Sequence, residues 1–273
     1  MICEELCNDE NAAQTKRTDY EKEKCVQQLR KLMNGHDLLK KVPGHENYLL
    51  RFLYSTCFNV PTAFQRMKSF YELLVESPEW FAKEGPLSQK SLIEKDIRIL
   101  TPFKDRGGRP IYLQKIGNLN PSTMQPTDVI CIDDYWLEYA LDDANGRENG
   151  MCIIIDLKKL SWRMMRWCTP YLTSTMLKKV DVLPVKEFKI HVVNSSFVAN
   201  TLIKLIWPFV NDRIRKMVTF HFDGLESLHD FIEPHNLLSE YGGTATLDFQ
   251  DCYEKLYTKN LEIRENFKTY RIL

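Results

Sequence analysis

The fold is decided by three extended apolar segments, Met151-Cys-Ile-Ile-Ile155, Phe188-Lys-Ile-His-Val-Val193 and Met217-Val-Thr-Phe-His-Phe222. The stretches between them, 162–179 and 198–215, have the periodicity of helices. Strands that are separated by helices of this length make right-handed parallel crossovers, which bury both faces of a sheet under helices. The sequence therefore predicts an α/β domain with a parallel or mixed sheet and flanking helices.

A small all-α unit is predicted in front of this domain. Residues 19–83 have helical spacing, and Asn59 before Val60-Pro61 is typical of a helix start. Gly85-Pro86 ends the helical region, and a turn at 105–110 leads into an extended segment. The predicted organisation is an N-terminal tail over 1–18, a helical domain over 19–86, the α/β domain over 87–258, and a C-terminal extension over 259–273.

The composition is that of one large or two small globular units. The chain has 273 residues, 44% of them hydrophobic, with 37 basic and 37 acidic side chains. These values exclude a disordered or collagen-like chain. The N-terminus lacks the basic start and apolar core of a secretion signal, and the sequence has no apolar run of membrane-spanning length. Because its eight cysteines form no C-x-x-C pair, we expect a cytoplasmic protein with free thiols.

The zero net charge hides a segregation of charge along the chain. Segment 158–216 contains twelve Lys and Arg against three acidic residues, whereas 128–148 is strongly acidic. Such a basic segment can be a set of solvated helix faces. It can also be an oriented surface for an acidic membrane, where each cation contributes about 1 kcal/mol. We expect no nucleic-acid partner.

The motifs of catalysis are missing from the sequence. There is no glycine-rich phosphate loop after a strand, no G-x-S-x-G elbow and no H-E-x-x-H. His191 and His221 fall in predicted central strands and are expected to be hydrogen-bonded core residues. Asp133 and Asp134 could act as an acid and a base, but neighbours on a helix diverge by about 100° and a solvated face is the default interpretation. We expect neither an enzyme nor a bound metal or cofactor.

The segment from Val198 to Val210 is the most informative part of the chain. It has two adjacent apolar stripes, and its polar stripe is reduced to Asn200, Thr201 and Lys204. One interpretation is a helix enclosed on all sides by a larger domain. The other is a lid over an internal apolar pocket, which exchanges its contacts for lipid at a membrane surface.

The order of several motifs resembles the CRAL-TRIO lipid-transfer family, and most closely its tocopherol-transfer branch. The motifs are Asn47-Tyr-Leu-Leu-Arg-Phe-Leu-Tyr54, Phe58-Asn-Val60, Gly108-Arg-Pro110, Gly150 with Ile155-Asp156, Ile190-His-Val-Val-Asn194, Trp207-Pro-Phe209 and Glu240-Tyr-Gly-Gly243. The resemblance extends from about residue 25 to 258. It implies non-enzymatic carriage of one hydrophobic molecule under a mobile helix, here about 196–210.

The resemblance also implies that the protein docks on phosphoinositide-bearing membranes. Lys186 and Arg213 match the basic positions that hold the headgroup in tocopherol-transfer relatives, and other basic residues lie nearby. The expected phosphoinositide-binding residues are Lys186, Lys189, Arg213, Arg215 and Lys216. The expected membrane-contacting residues are Trp162, Val198, Leu202 and Leu205.

The leading hypothesis is thus a monomeric cytoplasmic carrier that binds membranes transiently. The residues expected to line its apolar pocket are Ile130, Leu137, Met151, Ile153, Ile155, Cys168, Val180, Leu183, Ile190, Val192, Ala199, Ile203 and Ile206. An inward-facing Asp133 or Asp134 would favour a cargo with a hydroxyl group, because an unpaired buried carboxylate is costly. The alternative is an adaptor that uses the same fold to bind a membrane or a protein without transferring lipid. An enzyme acting on a small phosphorylated substrate is a third possibility.

Overall fold

The structure is a computed structural model that describes residues 17–271. Most of the tail predicted over 1–18 therefore lies outside the described residues. Three helices form the N-terminal unit: α1 (Asp19–Asn34), α2 (Glu46–Tyr54) and α3 (Val60–Glu76). The remaining helices are α4 (Lys90–Ile93), α5 (Pro126–Asp142), α6 (Ala144–Asn149), α7 (Pro170–Val182), α8 (Phe197–Ile206), α9 (Asp212–Met217), α10 (Phe249–Thr258) and α11 (Asn260–Tyr270).

A five-stranded mixed sheet forms the centre of the α/β domain, which confirms the predicted fold class. Its strands are β1 (Arg98–Lys104), β2 (Pro110–Lys115), β3 (Met151–Asp156), β4 (Phe188–Val193) and β5 (Val218–His221). They lie in the order β1-β2-β3-β4-β5. The hairpin of β1 and β2 is antiparallel, and the other three pairings are parallel.

The strand register defines two faces of the sheet. Tyr112 pairs with Ile153, Ile153 with Ile190, and Ile190 with Val218, so these side chains share one face, called here the front face. Arg98 and Gln114 belong to the same face, because they pair across the β1–β2 hairpin. The front face therefore changes from polar to apolar from β1 towards β5.

Helices α5, α7 and α8 cover the front face. Each connects successive parallel strands, and right-handed crossovers between strands in sequential order place all their helices on one side. The side is fixed by Tyr112 of β2, whose hydroxyl reaches Asp133 of α5. The back face is covered by the chain after β5, as the bonds from Tyr241 to Asp156 and from Lys115 to Glu240 show.

Two prolines divide helices that the periodicity predicted as continuous. Segment 162–179 consists of a 3-10 turn over Trp162–Trp167 followed by α7, which starts at Pro170. Segment 198–215 consists of α8, a 3-10 turn over Trp207–Phe209 and α9. Because proline has no N–H and fixes φ, it begins a helix and interrupts one that precedes it. The continuous helices expected over these two segments were therefore wrong.

The C-terminal helix α11 packs against both the N-terminal helices and the α/β domain. The ring of Tyr270 stacks on that of Tyr48 in α2 at 3.9 Å, and Arg271 pairs with Asp134 of α5. Ile263 and Phe267 are buried. These contacts fix α5 between the two halves of the molecule.

Candidate functional site

The predicted pocket residues of the sheet share the front face. Met151, Ile153 and Ile155 alternate along β3, next to Ile190 and Val192 of β4. Four of them are buried, whereas Ile155 is partly buried. The structure therefore brings these five side chains together as one apolar wall.

Helix α8 presents three of the predicted pocket residues on its inner side. Its start is capped by Ser196, whose hydroxyl accepts a hydrogen bond from the amide of Ala199. Ala199 is fully buried, but Ile203 and Ile206, one turn and two turns further along the same stripe, are partly buried. The stripe of α8 that begins at Ala199 is thus buried at its start and only partly covered towards its C-terminal end.

The other predicted pocket residues are divided between two cores. Val180 near the end of α7 and Leu183 just after it are partly buried and pack against the core of the α/β domain, to which Leu137 also belongs. Leu183 also packs against the core of the N-terminal helices. Ile130 lies in the core of the N-terminal helices instead. Cys168 is partly buried in the turn before α7 and donates to Met164 O. Ile130 is therefore separated from the apolar wall of the sheet.

A polar cluster adjoins this apolar wall on the front face. The Tyr112 hydroxyl donates to Asp133 Oδ1 at 2.5 Å, and Arg98 Nε lies 3.4 Å from the same oxygen. Arg98 and Tyr112 were missed in the sequence analysis. The available signal was an arginine inside the apolar run Ile97–Leu100, since a buried arginine needs a partner.

Asp134 points away from Asp133, as the angle between helix neighbours requires. Its carboxylate makes ion pairs with Lys179 at 2.7 Å and Arg271 at 2.9 Å, and accepts from the amide of Ala82. Burial alone would raise the pKa of Asp134, but Arg271 and Lys179 outweigh it and the net shift is downward. Burial raises the pKa of Asp133, and Arg98 and Tyr112 offset this in part. A solvated face was therefore the wrong default for this pair.

Exposed apolar side chains surround the outer side of α8. Phe197 is 79% exposed, and its ring contacts that of Trp162 at 6.0 Å. Leu205 and Phe209 are also exposed. Val198 is partly buried, and Leu202 is 4% exposed because it lies on the inner side beside Ala199. The outer apolar surface therefore centres on Phe197 and Trp162, and the expectation that Leu202 contacts a membrane does not fit this conformation.

The predicted headgroup residues are engaged in contacts within the protein. Lys186 donates to Glu148 O, Arg213 pairs with Asp181 at 2.5 Å, and Lys189 pairs with Glu187. Arg215 donates to Trp207 O, while Lys216 is exposed on α9. The paired groups remain partly exposed, and ion pairs at such surface positions contribute about 0–1 kcal/mol. They can therefore be exchanged for contacts with an anion.

Two surface depressions of the described residues lie away from α8. Each has a volume of about 430 Å³, and one opens along residues 30–45 while the other opens beside Phe81 and Phe267.

His191 and His221 are hydrogen-bonded to each other at 2.9 Å, as expected, although β5 is an edge strand. Residues 17–271 contain no metal-binding group of three or more His, Cys, Asp or Glu. In the same range no helix is both long and apolar enough to cross a bilayer.

These features are those of a CRAL/TRIO domain, and comparison with known families supports this directly. The CRAL/TRIO domain family matches residues 96–243, from the start of the sheet to the turn after Tyr241. The chain belongs to this family, as its motifs predicted.

Individual relatives agree with this assignment, and a solved structure shares the fold. The chain is 28% identical to rat (Rattus norvegicus) Clavesin-1 over 223 residues, which are 80% of this chain and 63% of that protein. It is 24% identical to mouse (Mus musculus) Alpha-tocopherol transfer protein-like over 238 residues, 85% of this chain and 69% of that protein. The crystal structure of Sfh5 shares the fold, with a TM-score of 0.53 and 16% identity over 91% of this chain and 99% of that one. The chain thus spans a little under two thirds of the length of the Clavesin-1 it matches.

Proposed function

We propose that the protein is a carrier that binds one hydrophobic molecule between the front face of the sheet and α8, and exchanges it at membranes. The observation that supports this most strongly is the two-sided apolar character of α8. Its inner side packs Ala199 and Ile203 against the core that contains the apolar wall, while Ile206 is only partly buried, and its outer side exposes Phe197 and Leu205. Membership of the CRAL/TRIO domain family agrees with the proposal.

The energetics of the proposed pocket favour an apolar cargo. Burial of apolar surface contributes about 25 cal/mol per Å², so a molecule that buries several hundred Å² gains most of its affinity from the hydrophobic effect. Opening of α8 would expose Leu202 together with the front face. A bilayer can cover this surface, which lowers the cost of opening at a membrane.

The proposed docking surface is the aromatic pair Trp162 and Phe197 with the basic residues around α8 and α9. Apolar insertion combined with a cationic rim is what binding to an anionic bilayer requires. The partner to which the proposal commits is a phosphoinositide-containing membrane, bound through Lys186 and Arg213. Residence on the membrane would be transient, because the contacts are few.

Extraction and identification of the cargo are the first test of the proposal. The protein is expressed in a eukaryotic host, purified without detergent and examined by native mass spectrometry, followed by lipid extraction. We expect one bound hydrophobic molecule per chain. A protein that is recovered empty and takes up no lipid from donor vesicles would contradict the proposal.

A transfer assay separates a carrier from an adaptor. Donor vesicles loaded with the extracted molecule are mixed with acceptor vesicles that contain phosphatidylinositol bisphosphate, and arrival of cargo is followed with time. A carrier accelerates transfer in proportion to its concentration. An adaptor binds the acidic vesicles but leaves the transfer rate at that of the vesicles alone.

A further inference from the structure

We propose that Arg98, Tyr112 and Asp133 form a polar anchor that binds an oxygen-bearing end of the cargo. The inference rests on the proposed carrier function and extends it, because it states which chemical group the cargo presents and which residues recognise it. The anchor is a hydrogen-bond donor from Arg98 beside an acceptor from Asp133, at the border of the apolar wall.

The first argument is that Arg98 has unused donors. Its side chain is 8% exposed, yet within residues 17–271 neither Nε nor Nη1 makes a hydrogen bond. Nε lies 3.4 Å from Asp133 Oδ1, which is an ion pair without hydrogen-bond geometry. A buried polar group without a partner destabilises the fold, and a charged group does so more strongly. A ligand that supplies an acceptor would satisfy these donors.

The second argument is the position of the cluster in the fold. Tyr112 pairs with Ile153 across β2 and β3, so Tyr112 and the apolar wall lie on the same face of neighbouring strands. Arg98 and Gln114 continue this face to the edge of the sheet. A molecule lying along the wall beneath α8 would therefore have its end next to Arg98 and Asp133.

The third argument is the incomplete use of Asp133. The hydroxyl of Tyr112 donates to its Oδ1, and its side chain remains 20% exposed although most residues of α5 are buried. Asp134, the next residue, is 1% exposed and holds two cations and an amide. Asp133 is thus held in place by Tyr112 and retains surface that another group can contact.

Any cargo that fits this anchor carries an oxygen atom that accepts a hydrogen bond from Arg98. An alcohol would accept from Nη1 and donate to Asp133. A carboxylic acid would accept with one oxygen and share its proton with Asp133, whose buried position favours the protonated state. A pure hydrocarbon would leave Nη1 without a partner.

The test uses three probes of equal chain length: hexadecanol, hexadecanoic acid and hexadecane, delivered from cyclodextrin to delipidated full-length protein. We expect the alcohol or the acid to bind at least about tenfold more tightly than the hydrocarbon, which corresponds to one hydrogen bond to a charged group. Whichever of the alcohol and the acid binds more tightly identifies the oxygen-bearing group of the cargo. Equal binding of all three would overturn the anchor and leave the carrier function standing. Binding of none, together with an empty purified protein, would overturn the carrier function as well.

The variant that tests the residues is Arg98→Met with Asp133→Asn, which removes both charges and keeps an acceptor for Tyr112. The matched control is Arg51→Met with Glu138→Gln, because this pair also joins an arginine to α5, is similarly buried and has a direct hydrogen bond of 2.8 Å. We expect the preference for an oxygen-bearing probe to disappear in the first double variant and to persist in the control. Preference retained in the first variant would overturn the assignment. If the first double variant fails to fold, Tyr112→Phe is used instead, because it keeps both charges. This variant should weaken the preference in part.

Discussion

Asp134 Oδ1 lies 2.7 Å from Lys179 Nζ, and neither side chain is more than 2% exposed. This ion pair joins α5 to α7, and the Lys179 ammonium also donates to Trp80 O in the segment after α3. Arg271 adds a second cation from the C-terminus. Cations from α7 and from the residue after α11 therefore converge on a single carboxylate of α5.

Replacing Asp134 should strongly destabilise the protein. Asp134→Asn leaves Lys179 and Arg271 buried without a counter-charge, and the expected loss in the free energy of unfolding is about 3–5 kcal/mol at pH 7. The matched control is Asp142→Asn, on the same helix, whose exposed pair with Lys259 should contribute about 0–1 kcal/mol. Urea unfolding of both variants checks this, and equal losses would contradict it.

The stabilising effect of Asp134 should depend on pH. Its pKa is lowered in the folded protein, so its contribution is present above the unfolded value of about 3.9 and is lost as the pH falls through the folded value. The difference in unfolding free energy between the wild type and Asp134→Asn should therefore shrink below about pH 4. An unchanged difference at pH 3 would show that the carboxylate charge is not what stabilises this site.

Asp133 should show the opposite pH dependence. Because burial raises its pKa in the folded state, its contribution is greatest below the unfolded value and is lost as the pH rises through the folded value. Asp133→Asn should cost less than Asp134→Asn at pH 7, and its cost should decrease between pH 3.5 and pH 7. Unfolding titrations of the two variants across this range provide the measurement, and parallel slopes would refute the assignment of opposite shifts.

The sheet could be predicted from the sequence, because β3, β4 and β5 are short apolar segments with clear ends. Phe188–Val193 matches the prediction at both ends. The parallel pairing of these strands followed from the alternation with helices, and the family from ordered motifs. Local patterns thus determined the fold class and most of the apolar wall.

The polar contacts of the site could not be predicted, because they join residues that are distant in the chain. Arg98 meets Asp133 across 35 positions, and Arg271 meets Asp134 across 137. No periodicity carries such information. The burial of Leu202 was missed for a different reason: both stripes of α8 are apolar, so the sequence does not say which stripe faces the sheet.

Phe197 should contribute to membrane binding. Phe197→Ser removes a ring that is 79% exposed, and the loss of its insertion into lipid should weaken binding to anionic vesicles by about tenfold or more. The control is Leu261→Ser on α11, a 69% exposed apolar side chain remote in sequence from α8. Vesicle co-sedimentation compares the two, and equal affinities would exclude Phe197 from the docking surface.

The basic residues near α8 should determine the salt dependence of docking. Lys186→Ala with Arg213→Ala removes two cations, which should weaken binding to phosphoinositide vesicles and reduce its sensitivity to salt, while cargo affinity is unchanged. Lys255→Ala with Lys268→Ala removes two exposed cations from α10 and α11 and serves as the control. Titrations at low and high salt check the effect, and the assignment fails if the two double variants behave alike.

Asn194 should be required for the conformation of the segment that leads into α8. Its backbone has a φ of 59°, and its amide donates to Asp156 Oδ1 at 2.7 Å. Asn194→Gly loses this bond but adopts the left-handed conformation without strain, whereas Asn194→Ala loses the bond and also carries a Cβ penalty of about 1–2 kcal/mol. Because glycine has a more flexible unfolded state, the net advantage of the Gly variant over the Ala variant should be about 1 kcal/mol in unfolding free energy. Urea unfolding of both variants measures this order. An Ala variant as stable as the Gly variant would show that the left-handed turn relaxes, and that α8 is positioned by its side-chain contacts rather than by Asn194.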